Sequence, residues 1–121
     1  MIRLEVLDDA GALAERAATE IARTAIEAIA ERGRFVWAVS GGATPLETFR
    51  RTRLPWDRTS TFQVDERVAP SGHPERNLTA LTGAFPVPAS PTLRPMPVEA
   101  DDLEEAGAGY AGSLPERFDL V

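Results

Sequence analysis

Apolar positions along this chain change their period several times, and each change marks an element. Residues 2–6 (Ile2, Arg3, Leu4, Glu5, Val6) alternate apolar and charged, the two-residue period of a short strand. From 9 to 32 the period lengthens. Ala14, Ala17, Ile21, Ala25 and Ile29 recur at helical spacing with Glu and Arg on the other face, and Gly33 follows as a natural terminator. Residues 34–39 then give a nearly continuous apolar run, Phe35-Val36-Trp37-Ala38-Val39, as expected of a strand covered on both faces. A short helix is expected over 45–52, a turn through Leu54, Pro55 and Trp56, and a second strand over 61–64. A polar loop, Ala69-Pro70-Ser71-Gly72-His73-Pro74, leads to a helical piece over 77–84. Pro86, Pro88, Pro91 and Pro95 punctuate the next stretch, leaving room for a brief strand at 92–96. The last helix is expected over 101–114, weakened by Gly107, Gly109 and Gly112.

The strand–helix–strand stretch around residues 34–64 is the length of one βαβ unit, about 30 residues. This predicts a single α/β domain over 1–121, with a Rossmann-like, mostly parallel open sheet flanked by helices. Two motifs then close neighbouring parallel strands at their carboxyl ends, where open α/β sheets bind ligands. They are Ser40-Gly41-Gly42-Ala43-Thr44-Pro45 and Val64-Asp65-Glu66-Arg67. The final run, Phe118-Asp119-Leu120-Val121, reads as the start of another parallel strand, an element normally followed by a crossover. On pattern alone it either closes an edge of the sheet or belongs to the front part of a longer protein.

Composition narrows the chemistry. The formal net charge of −6 disfavours nucleic acid and anionic membranes as partners. All 13 basic residues are Arg, so neither a Schiff-base lysine nor a Walker lysine is present in these 121 residues. The absence of Cys removes thiolate nucleophiles and thiolate metal sites. The N-terminal residues turn acidic at Asp8 and Asp9 where a signal peptide would be apolar, and a cytoplasmic location is expected.

In the first motif, Gly41 and Gly42 permit a sharp bend and close approach of a ligand. Thr44, Pro45 and Glu47 fit N-cap, first helical position and N3, the pattern of a capping box. The free N–H groups and positive end of that helix would form an anion site. The alternative is a tight turn whose glycines serve packing only. In the second motif, alternation along a strand end puts Asp65 and Arg67 on one side and Glu66 on the other. Asp65 can accept a proton or orient hydroxyls, and Arg67 can pair a phosphate or an oxyanion, unless the two merely neutralise each other. His73, alone between Gly72 and Pro74 in a polar loop, reads as a surface residue more than a general base. Trp37 and Trp56 read as packing residues.

With these residues together, the chain resembles the 6-phosphogluconolactonases, within the group that also holds the glucosamine-6-phosphate deaminases. The matching elements are residues 40–45, Trp56, Asp65-Glu66-Arg67-Val68, Pro70, His73-Pro74, Asn77 and the closing Phe118-Asp119-Leu120-Val121. Arg67 favours the lactonase branch, since the deaminases carry Tyr there. Ala43, Ala69 and Arg76 depart from the Ser, Val and Ser common at these positions. The resemblance implies hydrolysis of 6-phospho-D-glucono-1,5-lactone to 6-phosphogluconate, a pentose phosphate pathway step, with no metal or redox cofactor. It implies phosphate binding by Ser40, Gly41, Gly42, Ala43 and Thr44, sugar orientation by Asp65, and phosphate or oxyanion contact by Arg67. It also implies truncation, because the family's Asp-Gly-His segment, with its general base, follows the strand that begins here at Phe118. The expected partners are the phosphorylated lactone and a missing C-terminal half or self-association. The rivals are a sugar-phosphate isomerase or deaminase, a non-catalytic sugar-phosphate-binding domain, and an inactive fragment.

Overall fold

A computed structural model describes residues 1–85 and 92–121, so Pro86, Pro88 and Pro91 lie outside the described residues. Helix α1, Ala10–Arg32, opens on Asp9, whose Oδ1 accepts from the Ala12 amide at 2.7 Å. It closes on Gly33 at φ 77°, with the Gly33 amide donating to the Ile29 carbonyl, the left-handed termination expected of glycine. Strand β1, Phe35–Val39, is buried throughout. Helix α2, Ala43–Arg51, carries the chain back, and a 3₁₀ turn, Trp56–Arg58, delivers it into strand β2, Thr59–Gln63. Helix α3, Asn77–Ala84, strand β3, Leu93–Arg94, and helix α4, Leu103–Ser113, follow.

β1, β2 and β3 form a parallel sheet in that order, with Trp37 opposite Thr61 and Thr61 opposite Leu93. The run at 117–121 does join the sheet, as a parallel bridge from Leu120 to Trp37 on the outer side of β1. The Ala38 amide donates to Leu120 O, and the Asp119 amide to Val36 O. Asp119 fastens this junction: its Oδ2 accepts from the Val36 amide at 2.8 Å and its Oδ1 pairs with Arg32 at 2.6 Å.

The strand period of two divides the core into two layers. Phe35, Trp37 and Val39 face α1, α2 and α3 with Ala25, Ala28, Phe49, Leu81 and Phe85. Val36, Ala38 and Phe62 face Tyr110 of α4 and Phe118. α1 presents small residues inward, Ala14, Ala18, Ala25 and Ala28, which lets its backbone approach closely. Trp37 is the hub of the larger layer, against Phe35, Phe49 and Phe85, with its Nε1 donating to Thr61 Oγ1 at 2.7 Å. Trp56 packs on Phe85, so both tryptophans are packing residues as expected. Burial of each large core side chain such as Phe35 or Leu81 contributes about 1.5–3 kcal/mol.

Three sequence expectations shift. Residues 2–6 form no strand: Ile2, Leu4 and Val6 are 97%, 85% and 84% exposed. A strand exists through ladder bonds to a neighbour, and among the described residues none lies beside this segment, which is tied down by Glu5 to Arg16 at 3.0 Å. The second strand runs two residues earlier than expected at its start and ends at Gln63, because the 3₁₀ turn places Thr59 directly opposite Phe35. The third shift, at the start of α2, bears on the site.

Candidate functional site

β1 and β2 stay paired until both leave the sheet: the Val64 amide donates to Val39 O at 3.0 Å. The two motifs therefore emerge side by side at the carboxyl edge. After β1, Ser40 is exposed, Gly41 is buried, and Gly42 is the N-cap of α2 in an extended conformation, φ −68° and ψ 166°. The helix thus begins at Ala43, two residues before the expected start, and Thr44 and Pro45 are its second and third residues. No side chain caps it. The expected capping box does not form: Glu47 lies two positions beyond N3, and it pairs with Arg51 at 2.9 Å and Arg50 at 3.2 Å. Its partners hold the Glu47 carboxyl below its usual range, the Arg51 hydrogen bond most, then Arg50. The first-turn amides of Ala43 and Thr44 are therefore left to solvent or a ligand.

The glycines also exchange roles. Neither Gly41 nor Gly42 has positive φ; that conformation belongs to Gly33 and Gly72. A Cβ on Gly42 would meet nothing nearer than Pro45 Cδ at 4.0 Å. A Cβ on Gly41 would stand 2.3 Å from Asn77 Cβ, 2.6 Å from its Cγ and 3.0 Å from its Cα. Close packing at Gly41, with no left-handed bend at either position, is what the turn demands.

After β2, Asp65 and Arg67 are exposed and Glu66 turns inward, as the alternation predicts. The Glu66 side chain is completely buried. Its carboxylate accepts from Gln63 Nε2 at 2.9 Å and from the amides of Arg67, Asn77 and Leu78 at 2.7, 2.6 and 2.9 Å. Burial pushes its pKa up, but these donors outweigh burial and hold it below the ordinary glutamate value. It thereby caps α3, whose own N-cap residue, Arg76, offers no side-chain acceptor. Arg76 is itself buried, 3.6 Å from Glu66 and 2.6 Å from Glu99. Among the described residues no ion pair joins Asp65 to Arg67; Asp65 accepts from Asn77 Nδ2.

Asn77, the first residue of α3, stands between the motifs. Its Nδ2 reaches Asp65 Oδ1 at 3.2 Å and Asp65 O at 3.4 Å, while its Cα and Cβ lie against Gly41. The structure thus brings Gly41 and Asp65 together through one side chain, and leaves Ser40, Thr44 and Arg67 at the surface around them. His73 is exposed, with Nδ1 accepting from the Glu75 amide at 3.1 Å within its own loop. Beside the turn, an open groove lined by Ile21, Val39, Ser40, Phe49, Leu120 and Val121 runs along the outer edge of the sheet. No group of three or more His, Asp or Glu residues suited to a metal ion occurs among the described residues. No described helix is long and apolar enough to cross a membrane.

Sequence reasoning treated Glu66 only as the residue facing away, and missed its role as anchor. The signal was present in the alternation, since one member of an Asp-Glu-Arg cluster at a strand end must point inward. Arg76 as its buried counter-charge had no local signal at all.

A parallel α/β sheet with an uncapped helix start beside an acidic strand end has the layout at which open α/β proteins bind ligands. Residues 8–121 match the family model described as glucosamine-6-phosphate isomerases/6-phosphogluconolactonase, and the chain belongs to that family. It is 33% identical to a 6-phosphogluconolactonase of Synechocystis sp., across 98% of this chain and 52% of that protein. The crystal structure of a 6-phosphogluconolactonase from Shewanella baltica superposes with a TM-score of 0.80 at 24% identity, covering 93% of this chain and 52% of that one. A monomeric glucosamine-6-phosphate deaminase shares the fold too, with a TM-score of 0.76 at 22% identity, covering 90% of this chain and 48% of that one. The chain spans about half the length of these relatives.

Proposed function

We propose that this chain contributes one half of a 6-phosphogluconolactonase site. The observation that carries the reading is the juxtaposition of an uncapped helix start at the end of β1 with Asp65 and Arg67 at the end of β2, in a chain 33% identical to a lactonase. The amides of Gly42, Ala43 and Thr44, with the Ser40 hydroxyl and the Gly41 backbone, would receive the phosphate of 6-phospho-D-glucono-1,5-lactone, favoured by the positive end of α2. Asp65 would orient sugar hydroxyls. Arg67, exposed and unpaired with Asp65, would bring its planar fork to the phosphate or to the oxyanion formed as water adds to the lactone carbonyl. The water-activating base would come from the part of the relatives' length that this chain does not span. That part would cover the groove along Leu120 and Val121 and continue the sheet there. The cytoplasm as the place of reaction belongs to the same proposal.

The deaminase reading is supported by the shared family model and by likeness of fold, and Arg67 speaks for the lactonase. Residues 1–121 joined to the second half of the Synechocystis relative should hydrolyse the phosphorylated lactone far faster than gluconolactone. The 121-residue chain alone should be about 10²–10⁴-fold slower, the usual cost of a missing general base. Equal rates on the two lactones, or release of ammonia from glucosamine-6-phosphate in place of lactone hydrolysis, would overturn the proposal.

A further inference from the structure

We infer that Asn77 is a positioning residue that sets the distance between the residue 40–44 turn and Asp65, and that the buried Glu66 carboxylate holds Asn77 in place. The inference rests on the proposed reading of the site for its ligand, though not for its geometry. Four hydrogen bonds converge on Glu66, two of them from the first two amides of α3. The start of α3 is therefore fixed relative to the end of β2. From its opposite side α3 is wedged into the core, with Leu81 fully buried and Phe85 against Phe49 at a ring separation of 5.2 Å. Neither end of this short helix is free to drift.

Asn77 converts that rigidity into a spacing. On one side its Cα and Cβ press on Gly41 so closely that no other side chain fits there. On the other its amide nitrogen donates to Asp65. A ligand with an anionic group on the α2 amides and hydroxyls on Asp65 must span the width of this one residue. Inorganic phosphate, held by the turn alone, does not sense it. The consequence is a selectivity that a general loss of structure would not produce.

The 121-residue chain is titrated with 6-phosphogluconate and, separately, with inorganic phosphate, using amide NMR shifts. Asn77→Ala is the informative variant, because it removes the donor to Asp65 without adding a charge beside the residue 40–44 turn or the Glu66 carboxylate. Asn77→Ala should weaken 6-phosphogluconate about tenfold, the scale of one lost hydrogen bond, and leave inorganic phosphate within about twofold. Equal weakening of both anions, or of neither, overturns the inference. If the unsubstituted chain binds neither anion, the turn does not hold an anion without the second half, and the ligand-free spectra decide the spacing. Shifts of the residue 41–44 amides on Asn77→Ala then support it, and their constancy overturns it.

Discussion

The segment after β1 reaches solvent held by backbone packing, with an extended Gly42, a buried Gly41 and no side-chain cap on the helix it opens. The segment after β2, one strand away, is pinned by a fully buried carboxylate that accepts four hydrogen bonds. The first leaves its amides free, which an anion-binding turn needs; a capping side chain there would compete with the ligand. The second satisfies its own amides internally and turns Asp65 and Arg67 outward. Rigidity in the one comes from sterics and in the other from charge, and Asn77 is where the two meet.

Removing the charge should produce the largest effect. Glu66→Ala leaves two α3 amides without their acceptor and takes away one of the two carboxylates beside buried Arg76, and should cost about 3–5 kcal/mol in urea unfolding. A loss below 1 kcal/mol would mean the carboxylate is not the anchor. On the steric side, Gly41→Ala forces a contact of 2.3 Å to relax and should cost about 1–3 kcal/mol. The same substitution at Gly42, which faces open space, should cost less than about 1 kcal/mol, the loss of a favourable N-cap residue. Equal effects at 41 and 42 would erase the distinction between close packing and mere turn propensity.

Acid should separate the two regions in a graded way. Glu66 has a folded pKa below its unfolded one, so the folded state favours its ionised form. Its contribution is fully present above the unfolded glutamate value of about 4.3 and is lost as pH falls through the folded pKa. Amides at the start of α3 should therefore lose hydrogen-exchange protection as pH is lowered below the usual glutamate range, before those of β1. Unfolding of β1 and α3 at the same acid pH would show that the anchor and the sheet form one cooperative unit.

Much was legible locally. The helical spacing of small residues, ended by Gly33, gave α1; the apolar run at 35–39 gave β1; and the Phe118–Val121 run was readable as a parallel neighbour. Where neighbours in space decide, local reading failed. Alternation at 2–6 has the right period for a strand, but Ile2, Leu4 and Val6 stay exposed because no described strand offers them a ladder. Thr44 has the right chemistry for an N-cap, but the chain enters the helix earlier and the box never closes.

The sequence by itself determined the strand and helix periods, the βαβ order, and the arrival of both motifs at one edge of a parallel sheet, because these follow from side-chain spacing and chain length. Only the tertiary structure decided that Gly41 rather than Gly42 is sterically indispensable, that Glu66 caps a helix beginning 11 residues further on, and that Asn77 joins the two motifs. Each of these depends on atoms distant in sequence meeting within contact or hydrogen-bond distance, and that meeting is fixed by how α3 packs against the sheet and α2.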